Sequence, residues 1–124
     1  MAKHSDEFLR LANDARQRIT EVSPAEACKR VAEGAVLLDV RDKEEFEAGH
    51  IEGAMNISRG TLEMRIGEIA PDKQAPIVCH CGDGNRGALA ADALQKMGYT
   101  QVVSIEGGLK AYQADDDPVS GSDS

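Results

Sequence analysis

The stretch that most limits what this chain can fold into joins a strand to a helix. The apolar run Ala75-Pro76-Ile77-Val78-Cys79 passes through Cys81-Gly82-Asp83-Gly84-Asn85-Arg86 into Gly87-Ala88-Leu89-Ala90-Ala91-Asp92-Ala93-Leu94. Glycines 82 and 84 admit positive φ, so the turn can curl its N–H groups inward, and the following helix adds the positive end of its dipole. Such a turn attracts negative charge. The nearest anion is the sulfur of Cys81, because helix N-terminal amides and a neighbouring arginine favour thiolate over thiol. Cys81 is therefore the candidate nucleophile, with Gly82, Asp83, Gly84, Asn85 and Arg86 as its anion-binding loop. The plainer alternative is an ordinary buried thiol at a strand end.

The rest of the chain repeats this alternation. Phe8, Leu9, Leu11, Ala12, Ala15 and Ile19 recur near helical spacing and predict an amphipathic helix over Ser5 to Thr20. Ser23-Pro24-Ala25-Glu26 is a capping-box pattern with proline at the first helical position, and Gly34 can end the helix it opens. Short apolar runs predict strands over Ala35 to Val40, Ala54 to Ile57, Pro76 to Cys81 and Val102 to Ile105. Helices are predicted over Lys43 to Ala48, Thr61 to Ile69 (stopped by Pro71), Asn85 or Arg86 to Met97, and Gly108 to about Gln113. This is the rhythm of an α/β domain with a parallel sheet covered by helices. Ligands of such sheets bind outside the carboxyl ends of the strands, where Cys81 falls. The acidic tail at 115–124 has few apolar anchors and is expected to be disordered.

A length of 124 residues suits a single domain, and a net charge of −8 argues against a nucleic-acid surface or a polybasic membrane anchor. The start, Met1-Ala2-Lys3-His4-Ser5-Asp6-Glu7, lacks an apolar leader, and no later run approaches the ~20 residues that span a bilayer. A cytoplasmic location is expected. Three cysteines without framework spacing suit a reducing compartment and one reactive thiol. Cys79-His80-Cys81 invites a metal reading, but alternate strand residues face the same way, so His80 points opposite to the two sulfurs, and no second Cys/His cluster supplies further ligands. Cys79 and Cys28 are read as core.

These residues resemble the rhodanese, or sulfurtransferase, family, whose active loop begins with cysteine, ends with arginine and has four residues between, as Cys81 to Arg86 does. Leu37-Leu38-Asp39-Val40-Arg41-Asp42, Glu45-Phe46 and Gly49-His50-Ile51-Glu52-Gly53-Ala54 resemble the upstream signature. Val103-Ser104-Ile105-Glu106-Gly107-Gly108-Leu109 with Ala111-Tyr112 resembles the closing segment, so the likeness runs from Ser23 to Val119. It implies a three-layer rhodanese-like domain with a central parallel sheet over 23–114, preceded by a helical extension at 1–22 and followed by the tail. The implied activity takes a sulfane sulfur from thiosulfate or a persulfide, holds it as a Cys81 persulfide and passes it to a thiol or cyanide. It needs no metal or organic cofactor. The implied partner is a small sulfur-containing anion, or the persulfide of a protein or small thiol, and the N-terminal helix either folds back or makes a homodimer contact.

Asp39 and Arg41 resemble the acid and base that brace the family's site; the plainer reading is a surface ion pair. Arg59 and Arg65 either line the pocket mouth, compensating Asp83, or are solvated. Arg86 is read mainly as an anchor to a carboxylate, and His50 as a turn residue that fixes the chain by hydrogen bonding. The sequence departs from the family in Gly87, where serine is common, and Tyr112, where tryptophan is common. Asp83 opposes both thiol ionisation and dianionic donors such as thiosulfate. Two rival readings remain. One is a phosphatase or arsenate reductase of the same fold, which shares the His-Cys beginning but has five residues before its arginine. The other is a non-catalytic sensing module.

Overall fold

The computed structural model describes residues 5–114 and 119–120, with backbone alone at 113–114 and 119–120. In chain order its elements are α1 (Asp6–Arg16), β1 (Thr20–Val22), α2 (Pro24–Ala32), β2 (Val36–Asp39), α3 (Lys43–Ala48), β3 (His50–Ile51), β4 (Met55–Asn56), α4 (Leu62–Ile69), β5 (Ile77–His80), α5 (Asn85–Lys96), β6 (Val102–Ile105), α6 (Gly108–Ala114) and β7 (Val119–Ser120). A 3-10 turn at Arg59–Thr61 leads into α4.

Five strands form one sheet in the order β1-β6-β5-β2-β4, with every neighbouring pair parallel. All four residues of β5 and of β6 are buried, which is why these strands read as mostly apolar rather than alternating. On one face Leu38, Ile77 and Cys79 pack with Leu62 and Ile66 of α4 and Ala90, Ala91 and Leu94 of α5. On the other, Leu37, Val78 and Val103 pack with Ala27 of α2 and Leu109 and Tyr112 of α6. This is the α/β three-layer arrangement expected from the sequence.

The N-terminal segment departs from expectation. Its helix starts as predicted, where Ser5 Oγ accepts from the Phe8 N–H at 3.1 Å, but it ends at Arg16 rather than Thr20. The chain then extends, and Thr20–Val22 adds a parallel edge strand beside β6. Strand pairing outweighs helix continuation here because Thr20 and Val22 are β-branched and Val22 joins the core. α1 folds back on α5 with Ala12 and Ala15 buried, secured by a two-bond contact of Arg18 with Asp92 (2.9 and 2.8 Å). At the other terminus Val119–Ser120, within the tail expected to be disordered, pairs antiparallel with His50–Ile51. The remainder of that tail lies outside the described residues. No described helix is long and apolar enough to cross a membrane.

The strand order places the site. From β2 the sheet grows outward to β4, and from β5 it grows the opposite way to β6, so the topological switch lies between β2 and β5. Asp39 and His80 are register partners at the carboxyl ends of these strands, and Cys81 follows immediately.

His80 is fully buried, and burial holds its imidazole below the usual value of 6.5, although the Asp39 carboxylate favours the charged ring. Its folded state therefore binds a proton less readily than its unfolded state. Stability present above pH 6.5 should decline as pH falls below it. Urea titrations between about pH 5 and pH 7 should show this slope, and His80→Gln should flatten it; an equal slope in the variant would remove His80 as the cause.

Candidate active site

Cys81 leaves β5 and its chain turns back so sharply that its Sγ accepts two backbone N–H bonds, from Gly84 at 3.1 Å and Gly87 at 3.2 Å. The turn depends on Gly84, whose φ of 100° lies in the left-handed region at the N-cap of α5. Two N–H dipoles converge on one sulfur, and both come from backbone that α5 and the turn hold fixed. The side chain of Cys81 is fully buried. Asp83 bends back into the loop, where its Oδ1 accepts the Asn85 N–H at 3.1 Å and lies 3.8 Å from Sγ.

The closing segment seals the loop from outside. Leu109 and Lys110 donate their N–H groups to the carbonyls of Cys81 (2.7 Å) and Gly82 (3.2 Å). Gly108 lies so close that an added Cβ would fall 2.5 Å from the Cys81 carbonyl oxygen and 2.8 Å from the Gly84 nitrogen. The paired glycines of that motif thus permit backbone to pack on backbone.

Arg86 points to Glu45 of α3 and makes a two-bond contact at 2.7 and 3.1 Å. That contact holds the Glu45 carboxyl below its ordinary range. Glu45 also accepts from the Asp42 N–H as the third residue of a capping box, so one carboxylate ties the start of α3 to the end of the Cys81 loop. Asp39 and Arg41 form a buried pair rather than a surface one. The Arg41 guanidinium donates to both Asp39 oxygens, the closest contact being 2.8 Å, and to the Gly49 carbonyl at 2.7 Å. Asn56 bridges the carbonyls of Asp39 and Arg41 at 3.0 and 2.9 Å.

Other candidates have partners of their own. Arg59 bonds Glu63 at 3.0 Å and lines a groove with Arg18, Asp92 and Lys96, while exposed Arg65 pairs with Glu68 at 3.6 Å. Neither makes a described hydrogen bond or ion pair with the loop. Cys79 is core, and burial pushes its thiol up to about 12. Cys28 is only partly buried. The His50 ring stacks on Phe46 with centroids 3.8 Å apart and places Nδ1 2.8 Å from the Phe46 carbonyl oxygen. Among the described residues no cluster of three or more His, Cys, Asp or Glu is placed to hold a metal ion.

Three contributors had no local sequence signal: Glu45 as the partner of Arg86, Gly87 as a donor to Sγ, and Arg16 of α1, which donates to Asn85 Oδ1 at 3.0 Å. Gly87 also has a packing role. An added Cβ would lie 2.9 Å from Ser104 Oγ and 3.4 Å from the His80 Cα, so Ser104 fills the space a larger residue would need. Gly→Ala ordinarily stabilises a helix interior by about 1 kcal/mol. Here Gly87→Ala should destabilise by about 1–3 kcal/mol through overpacking. Because Ser104 Oγ is buried without a hydrogen-bond partner among the described residues, Ser104→Ala should recover much of that loss. Urea denaturation of the two single variants and the double variant decides the matter, and a stabilised Gly87→Ala protein would contradict the packing account.

Residues 23–115 match the family described as the rhodanese-like domain. The uncharacterized protein YqhL of Bacillus subtilis is 38% identical over 97 residues, covering 78% of this chain and 75% of that protein. The thiosulfate sulfurtransferase GlpE of Pseudomonas entomophila is 36% identical over 93 residues, covering 75% of this chain and 84% of that protein. Among solved structures, a protein of unknown function from Rhodopseudomonas palustris, described as a possible tyrosine phosphatase, superposes with a TM-score of 0.82 at 30% identity, covering 96% of this chain and 98% of its own.

Proposed function

We propose that this chain, which belongs to the rhodanese-like domain family, transfers sulfane sulfur through a persulfide on Cys81. The observation that carries the reading is the sulfur cradle, in which Sγ accepts N–H groups from Gly84 and Gly87. The Cys81 thiolate attacks the outer sulfur of the donor. A new S–S bond forms as the old bond from that sulfur breaks, and its electron pair leaves with the donor remnant, sulfite or a thiolate. The loop then holds the persulfide against fixed backbone dipoles until a thiolate or cyanide attacks the outer sulfur and Cys81 departs as thiolate. The thiosulfate sulfurtransferase relative supports the same chemistry.

A second reading, phosphoryl transfer, is favoured by the Rhodopseudomonas structure. The loop argues against it. Four residues rather than five separate Cys81 from Arg86, and the Arg86 guanidinium that an oxyanion would need is bonded twice to Glu45.

Intact-mass measurement after incubation with thiosulfate or a small persulfide should show the gain of one sulfur atom. Cys81→Ser should abolish that gain without unfolding the protein, whereas Cys79→Ser and Cys28→Ser should keep most of it. Loading of the Cys81→Ser protein would defeat the assignment, and Cys81-dependent phosphate release without sulfur transfer would favour the second reading.

The donor is set in part by Asp83, whose carboxylate faces the sulfur while Arg86 is neutralised by Glu45. This arrangement disfavours a dianion more than a singly charged persulfide. Asp83→Asn should raise kcat/KM for thiosulfate about tenfold relative to that for a persulfide at low ionic strength, an effect that added salt diminishes. An unchanged ratio would mean that the loop charge does not select the donor.

A further inference from the structure

We infer that Arg16, on the last turn of α1, is a positioning residue for the Cys81 loop. It lies outside the segment that matches the family, which begins at residue 23. Its guanidinium is fixed by two neighbours on its own side of the fold, with Nε donating to Glu21 at the β1 edge at 3.1 Å and Nη1 to Asn13 at 3.0 Å. The same Nη1 donates to Asn85 Oδ1 at 3.0 Å, across 69 positions of sequence. Its Nη2 lies 3.4 Å from where a Cβ on Gly84 would stand. Arg16 thus covers the two residues at which the loop turns into α5.

Those two residues determine where one of the two sulfur-binding N–H groups points. Gly84 is in the left-handed region and has no side chain to hold it, so its N–H stays aimed at Sγ only while its neighbours restrain the turn. Against it stand Gly107 and Gly108, with the Gly107 nitrogen 3.2 Å from the same Cβ position on Gly84. Arg16 closes on that same position through Nη2. Gly87, the second donor, is the third residue of α5, and the helix backbone fixes its conformation without help from α1. The loop therefore has two guanidinium clamps: Arg86 to Glu45 at its end, and Arg16 to Asn85 at its turn. The Arg18–Asp92 contact and the buried Ala12 and Ala15 keep α1 docked, so Arg16 belongs to a fixed element rather than a swinging arm.

The inference rests on the sulfur-transfer reading only for its kinetic arm, and amide exchange tests the geometry independently. In the full chain, Arg16→Ala should speed exchange of the Gly84 amide about tenfold, as expected for loss of a charged hydrogen bond, and leave the Gly87 amide unchanged. Sulfur transfer should lose kcat by a similar factor with little change in KM. Asn85→Ala should reproduce both effects, and the double variant should be no worse than either single one, because Arg16 acts through Asn85. Arg16→Lys, which keeps the charge but not the fork, should recover only part of the loss. Equal acceleration at Gly84 and Gly87 would mean general loosening of the fold and would overturn the proposal, as would additive losses in the double variant. If the exchange pattern holds while no sulfur transfer is found, the positioning role stands and the proposed function fails.

Discussion

A sulfur atom buried at the end of a strand, accepting two backbone N–H groups, is the constraint around which the rest of this site is arranged. The two donors must converge on one point, so the chain must turn through a left-handed residue and enter a helix within six positions of the cysteine. Neither donor is a side chain with rotamers to choose from. The geometry is therefore as rigid as the backbone that carries it, and each surrounding contact fixes that backbone: Leu109 and Lys110 on the loop carbonyls, Glu45 on Arg86, Arg16 on Asn85. An electrostatic cradle built this way needs little reorganisation when charge develops on sulfur.

The charged groups around it are organised by burial rather than by number. Asp39 and Arg41 are both buried, and each has further partners that satisfy what the ion pair leaves over, which is the condition under which a buried pair is tolerated. Arg41 also lowers the Glu45 carboxyl, and Glu45 neutralises Arg86. Asp83 is the carboxylate that faces the thiol.

Much of this was legible in the chain. The capping box at Ser23, the buried runs of β2, β5 and β6 and the strand-glycine-helix passage at Cys81 are local patterns, and each produced the element it predicts within a residue or two. The pairing of Arg86 with Glu45 was not legible, because 41 positions separate them and nothing local links the two. β1 was hidden for a different reason: three residues following a strongly amphipathic helix carry too little periodicity to announce a strand, and pairing with β6 decides it. Asp39 and Arg41 were visible as a motif, yet their burial follows only from the position of β2 inside the sheet. Arg59 and Arg65 show the converse, since both were candidates for the pocket mouth and each pairs with a glutamate three or four positions along the chain.

The seal that α6 places on the loop has a consequence for the order in which the protein matures. Synthesis delivers Cys81 and its turn before Gly108, Leu109 and Lys110, the residues that occupy the loop carbonyls. A chain that ends between them holds the cysteine and its turn but lacks the N–H groups that tie down the loop carbonyls. Vectorial growth thus separates the synthesis of the cysteine from that of the segment that fixes its loop by roughly 25 residues, about one to five seconds at ordinary translation rates.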